Sequence, residues 1–244
     1  MRGGGLATFK HFFTRLIKTI FPPACPVCLR TLPYGWSAVF CASCQAELHS
    51  LPASRCSLCA LPFASPVAST HLCGRCLNTK NPFFAVYAVG LYDGTLQQAI
   101  QQLKFNQKIA LDRVLGGLLA AAVAPDLAVD LVVPVPLEGK RLRRRGYNQA
   151  LLLAHELARL RGWQLSSGLL IKSRETPAQQ QLSARERERN LQGVFHTSAP
   201  LNGETVLLVD DVMTTGSTVS ACARELLSAG AGRVGVAIIA RAAR

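Results

Sequence analysis

Two hydrophobic rhythms divide this chain. Near its start Phe9, Phe12, Phe13, Leu16, Ile17 and Ile20 recur at helical spacing with Lys10, Arg15 and Lys18 between them, and Pro22-Pro23 closes the run. The pattern predicts an amphipathic helix of about three turns within residues 1–22. Its basic face suits a membrane surface or a partner, but its single apolar stripe better suits packing on the cysteine-bearing module that follows or on the larger domain. From residue 81 onward, short Val/Ile/Leu runs alternate with helical patterns. Strands are predicted over Phe83–Leu91, Asp130–Val133, Leu169–Lys172, Thr205–Asp210 and Arg233–Ala240. Helices are predicted over Thr95–Phe105, Ile109–Val123, Tyr147–Leu160 and Ser217–Ser228. Buried apolar strands separated by helices imply an α/β fold whose mainly parallel sheet is covered on both faces.

The stretch between these regions follows neither rhythm and is punctuated by cysteine. Eight of the nine cysteines form four Cys-x-x-Cys pairs: Cys25/Cys28, Cys41/Cys44, Cys56/Cys59 and Cys73/Cys76. Two thiolates on one short turn converge on one tetrahedral ion, and a second pair completes its shell. Near-even spacing assigns Cys25, Cys28, Cys41 and Cys44 to one structural Zn²⁺ and Cys56, Cys59, Cys73 and Cys76 to another, with interleaved pairing left open. Four thiolates per ion leave no coordination position for chemistry, and His71 is not needed as a ligand. Disulfides are the rival reading, and a reducing compartment disfavours them. Cys222 falls at helical spacing with Val219 and Leu226 and reads as a buried apolar residue. The expected organisation is a helix at 1–22, a double zinc ribbon at 23–80 and an α/β domain at 81–244.

Composition refines this picture. A chain of 244 residues, 49% hydrophobic, with 13 Pro and 19 Gly is neither disordered nor collagen-like. The longest apolar run, Leu118 to Ala124, is far shorter than the roughly 18 residues of a membrane span. No small-residue cleavage site follows the first helix, so a cytoplasmic location is expected. The formal charge of +13 makes some nucleic-acid binding at low salt expected, and so assigns no function alone.

The most informative run is Val206-Leu-Leu-Val-Asp210-Asp211-Val-Met-Thr214-Thr215-Gly216-Ser217-Thr218. An apolar strand ends in two carboxylates, and a hydroxyl-rich turn around Gly216 leads into a helix. Ligands of open α/β sheets bind at this end of the strands. A turn of backbone N–H groups, hydroxyls and a helix N-terminus suits a phosphate dianion. A second run, Lys140-Arg141-Leu-Arg143-Arg144-Arg145 ahead of Tyr147-Asn148-Gln149, places cations just past the strand ending at Pro134. Arg141 and Arg145, at i and i+4, are the better candidates for an anion, while Lys140, Arg143 and Arg144 equally suit a solvated or nucleic-acid-facing surface.

The first run resembles, at all thirteen positions, the phosphoribosyl pyrophosphate (PRPP) loop of type I phosphoribosyltransferases. The resemblance implies that Asp210 and Asp211 bind ribose hydroxyls and that Thr214, Thr215, Gly216, Ser217 and Thr218 hold the 5′-phosphate. It also implies pyrophosphate near Arg141 and Arg145, with Mg²⁺ entering with PRPP. The segments Pro134–Gln149 and Arg174–Asn190 look like those of the ComF family of competence-related proteins, whose members also begin with a zinc ribbon. That implies a flap at Arg174–Asn190. The expected activity is transfer of ribosyl 5-phosphate from PRPP to an acceptor. The alternative is a non-catalytic PRPP-binding protein acting in DNA uptake through single-stranded DNA or a DNA-uptake protein. No general base and no acceptor hood are found by pattern, and the zinc ribbons are the candidate for the hood's place.

Overall fold

The computed structural model describes residues 22–33, 35–65, 68–105, 108, 110–173, 191 and 193–243. The amphipathic helix expected at 1–22, but for residue 22, and the flap expected at Arg174–Asn190 lie outside the described residues.

Each ribbon is built from the same two pieces. The first is a tight knuckle turn: Leu29 N–H donates to Cys25 O at 2.9 Å in one ribbon, and Ala60 N–H donates to Cys56 O at 3.0 Å in the other. Both knuckles force a non-glycine residue to positive φ, Leu29 at 62° and Ala60 at 56°, a conformation that costs about 1–2 kcal/mol and so needs an outside restraint. The second piece is a helical turn started by the third cysteine of each set: Cys41 opens α1 (Ala42–Ala46) and Cys73 opens α2 (Gly74–Asn78). The second ribbon adds a two-residue parallel pair, β1 (Arg55–Cys56) with β2 (Thr70–His71).

The larger part follows the predicted alternation. β3 (Val86–Leu91) is followed by α3 (Gly94–Phe105) and α4 (Leu111–Ala122). Next come β4 (Leu131–Pro134), α5 (Gly139–Arg145), α6 (Gln149–Arg161) and β5 (Gln164–Leu165). A hairpin of β6 (Leu170–Lys172) and β7 (Phe195–Thr197) precedes β8 (Thr205–Met213), α7 (Ser217–Ser228) and β9 (Arg233–Arg241). The five-stranded sheet is wholly parallel, ordered β3-β9-β8-β4-β5, while β6 and β7 pair antiparallel apart from it.

Two features depart from the sequence reading. β8 does not stop at Asp210: β9 runs alongside it as far as Met213↔Arg241, so both acids lie within a paired strand. The basic run after Pro136 forms α5, which ends where Gly146 adopts φ +86° and donates to Leu142 O at 2.7 Å. Its last turn holds Arg143, Arg144 and Arg145, the sign that the carbonyl end of a helix favours.

Strand alternation sorts the core into two sides. Leu207, Val209, Ala237 and Ile239 pack with α3, α4 and α6, and Cys25, Val27 and Phe40 of the first ribbon join that cluster. Val206, Leu208, Val236 and Ile238 face the other way, toward α7, the β6–β7 hairpin and the cysteines of the second ribbon. Each ribbon therefore borrows its core from one face of the sheet. Among the described residues, no helix is long and apolar enough to cross a membrane.

Candidate functional site

The four sulfurs of Cys25, Cys28, Cys41 and Cys44 converge, as do those of Cys56, Cys59, Cys73 and Cys76, all within 4.8 Å of one another in each group. A Zn–S bond of about 2.3 Å in a tetrahedron spaces sulfurs by about 3.8 Å. The Cys28–Cys41 pair is 3.5 Å apart and the Cys59–Cys73 pair 3.8 Å, so both groups fit the ion without rearrangement. The pairing is sequential, not interleaved. His71 stays outside the second tetrad and stacks on Phe63, with ring centroids 4.2 Å apart. Cys222 is fully buried on α7, and burial pushes its thiol well above the usual range.

At the C-terminal edge of the sheet a cavity of about 670 Å³ opens between β8, α3, α5 and the start of α6. Asp210, Asp211 and Thr218 line it on one side; Arg141, Arg144 and Arg145 line it on another. The adjacent acids are not exposed and equivalent. Successive strand positions point to opposite sides, so Asp211 meets Lys104 of α3, Nζ to Oδ2 at 2.7 Å. Asp210 lies toward α7, where its charge adds to the shift of Cys222. Burial, with the neighbouring Asp211 charge, pushes the Asp210 carboxyl up to about 7. Burial lowers the Arg145 guanidinium from its ordinary value, while the Asp211 charge opposes that shift, which ties α5 to β8 across the cavity.

Several residues here carry no signal in a local pattern. Lys104 sits in the last turn of an ordinary amphipathic helix, and only the fold brings it to Asp211. Glu138 lies 3.7 Å from both Arg141 and Lys172. Phe105 is exposed at the cavity's rim beneath the Arg145 guanidinium, 5.3 Å from the ring centroid. Gln149 is 3% exposed; its Oε1 accepts from Arg145 Nη1, and its Nε2 is buried on the cavity wall without a hydrogen-bond partner among the described residues. A buried amide donor left unpaired costs about 1–3 kcal/mol, a debt that a ligand acceptor in the cavity would cancel.

The hydroxyl-rich turn divides its residues between two cavities. Thr218 reaches the larger one, whereas Thr214 and Thr215 line a smaller cavity of about 210 Å³ between the turn and the second ribbon. Thr215 and Ser217 are buried and share a hydroxyl–hydroxyl bond of 2.9 Å. Gly216 takes φ +79°, the left-handed region that favours glycine, and a Cβ there would also displace the flexible end of the Met213 side chain.

Residues 143–244 match the family model described as phosphoribosyl transferase domain, and residues 16–77 match that described as double zinc ribbon domain. The architecture is thus a type I phosphoribosyltransferase fold preceded by a double zinc ribbon. The chain is similar to DNA utilization protein YhgH of Escherichia coli, 35% identical over 227 residues that cover 90% of this chain and 97% of that protein. It is also similar to competence protein F of Haemophilus influenzae, 32% identical over 221 residues, covering 83% of this chain and 96% of that one. Competence protein ComFC of Bacillus subtilis is 28% identical over 215 residues, covering 80% and 84%.

Proposed function

This chain belongs to the ComF family of competence-related proteins, and from that premise we propose that it binds PRPP in the larger cavity and transfers its ribosyl 5-phosphate to an acceptor. The observation that carries this reading is the cavity of about 670 Å³ in which Asp210, Asp211 and Thr218 face Arg141 and Arg145. That volume suits a PRPP-sized ligand.

In this reading the ribose hydroxyls donate to Asp210 and Asp211, and the 214–218 turn holds the 5′-phosphate, Thr218 from the wall of the larger cavity and residues 214–217 through their backbone N–H groups. Transfer breaks the anomeric C–O bond, the electron pair leaving with pyrophosphate, while an acceptor lone pair forms the new bond to the same carbon. Arg141 and Arg145 lie where negative charge grows on the leaving group, a preorganised arrangement that lowers the barrier. Magnesium, bound with PRPP, would supply further neutralisation, and Asp210 and Asp211 on the cavity wall would hold it. The buried Gln149 amide would donate to the ligand. The tetrads would carry structural zinc, and a cytoplasmic setting would keep their thiolates reduced.

A second reading has its own observation. On α5, Arg141, Arg143 and Arg144 are exposed, with the exposed Phe105 nearby. This basic surface, with the relatives' names, supports contact with single-stranded DNA in DNA uptake, and it is compatible with PRPP binding.

The decisive experiment is titration of Mg²⁺ and PRPP into the full chain by calorimetry, with Asp210→Asn/Asp211→Asn alongside. Wild-type binding that falls at least roughly a hundredfold in a folded double variant supports the assignment; unchanged affinity refutes it. Pyrophosphate release across a panel of nucleobase, amine and nucleic-acid acceptors then separates transferase from binding protein.

A further inference from the structure

The turn expected to hold phosphate does not keep its shape alone. The carbonyls of Met213, Thr214 and Thr215 are all engaged by groups of β9 and the second ribbon, Met213 O also accepting from Ala242 N–H at 3.0 Å. Arg241, only 3% exposed, spans the gap: its Nη1 lies 2.9 Å from Met213 O, 2.6 Å from Thr214 O and 2.8 Å from Ala242 O. Its Nε donates to Cys59 O at 2.9 Å. One guanidinium thus joins a zinc-ligand residue to the turn. The next carbonyl, that of Thr215, accepts from Arg75 Nη1. Arg75 sits inside the Cys73-Gly-Arg-Cys76 pair, so a metal held by those cysteines fixes its backbone.

The consequence follows from peptide geometry. In a trans peptide the carbonyl of one residue and the N–H of the next point in opposite directions. Drawing the carbonyls of residues 213, 214 and 215 toward the ribbon turns the N–H groups of Thr214, Thr215 and Gly216 the other way. A run of N–H groups converging on one side is what an anion needs, and a carbonyl turned inward would repel it. The two guanidinium groups behind the turn, Arg241 buried and Arg75 exposed, also add positive charge there.

We infer that Arg241 and Arg75 are positioning residues through which the metal-loaded second ribbon holds the 214–216 turn in its phosphate-accepting shape. The first ribbon has no such contact among the described residues: its hydrogen bonds run to α3, through Thr95 Oγ1 to Cys44 O at 2.7 Å and Gln102 Nε2 to Val27 O at 3.0 Å, and to β3, through Leu91 N–H to His49 O at 2.9 Å. The inference rests on the proposed PRPP site, because it assigns the 5′-phosphate to this turn.

The test measures affinity of the full zinc-loaded chain for three probes: PRPP with Mg²⁺, ribose 5-phosphate and pyrophosphate. Arg75→Ala removes an exposed side chain, so the fold survives. It should weaken ribose 5-phosphate binding by roughly tenfold, the worth of one charged hydrogen bond, with zinc content and pyrophosphate affinity unchanged. Arg241→Gln should weaken it further, and Arg241→Lys, which restores charge without the planar fork, should recover only part of the loss. Cys59→Ser should reproduce the phosphate defect, and Cys41→Ser should not. Wild-type affinity for ribose 5-phosphate in both Arg75→Ala and Cys59→Ser overturns the inference alone. Equal loss of ribose 5-phosphate and pyrophosphate binding overturns it too, because that is general disturbance. A wild-type chain that binds PRPP but not ribose 5-phosphate removes its basis at the turn, and one that binds neither overturns the site reading itself.

Discussion

The two ribbons share a ligand set, a knuckle and a helical turn, yet they are joined to the rest of the chain in different ways. The first is a framework piece. Phe40 and Val27 pack with Leu96, Ala99 and Leu103 of α3, and Gly90 and Gly94 lack side chains where the main chain at His49 and Glu47 presses on them. It reaches the cavity through α3, twelve residues and so about 18 Å long, and through the end of β3, where Leu91 N–H donates to His49 O at 2.9 Å beside Tyr92 of the cavity wall. The second ribbon lies directly against the 213–216 turn, with Arg241 and Arg75 between them. Identical zinc chemistry can therefore serve scaffold stability in one place and site geometry in another; neighbouring residues decide which.

The largest effect expected from breaking this contrast is on stability. Cys41→Ser should strip the first tetrad, expose the buried Phe40 and lower the unfolding free energy by more than about 3 kcal/mol. Thermal melts and zinc counting check this, with PRPP affinity of the still-folded fraction preserved. A variant that keeps two zincs or its melting temperature would erase the distinction.

The division between the faces of the sheet continues into the acids, and pH sharpens it. Asp210 lies on the second ribbon's face with its carboxyl pushed up to about 7, well above the unfolded value. The native state then holds a proton that the unfolded chain has released between about pH 4 and 7, so stability falls as pH rises through that window. Binding has the opposite sign, since a hydroxyl donor favours the carboxylate. PRPP affinity should drop by up to about tenfold per pH unit below 7, and calorimetry in buffers of different ionisation enthalpy should register proton release. Asp210→Asn should flatten the stability profile; a flat binding profile in the wild type would contradict the assignment.

The smallest effect concerns α5, which belongs to neither ribbon. Arg143 is exposed and is not among the cavity-lining residues described, so Arg143→Glu should leave PRPP affinity unchanged. It should reduce the salt slope of single-stranded DNA binding by about one or more. Unaltered salt dependence in fluorescence anisotropy would move any DNA contact off this helix.

The features legible in the sequence are those whose chemistry is local. A cysteine pair needs only two intervening residues to make a knuckle, and the β8–turn–α7 run keeps acids, hydroxyls and Gly216 contiguous. Lys104, Gln149, Glu138 and Phe105 had no such signal, because each acquires its role from a partner on another element. Arg241 gave no signal either: a charge closing the apolar run Val234–Ala240 would suit a strand leaving the core. Instead carbonyls from a ribbon and a turn surround and satisfy it. The overrun of β8 past Asp210 has the same origin, since the length of its partner β9 extends the pairing.

The place of β9 in the sheet also sets an order of assembly. It lies between β3 and β8, and Val86 pairs with Val236 across most of the described chain. Such distant pairings close late in folding, whereas each cysteine set is compact in sequence and can gather its ion early. Arg241 ends that late strand. A folding chain would therefore hold a finished second ribbon while the turn at 213–216 remained loose, and anion affinity should emerge only in the final step, after metal uptake and most secondary structure are complete.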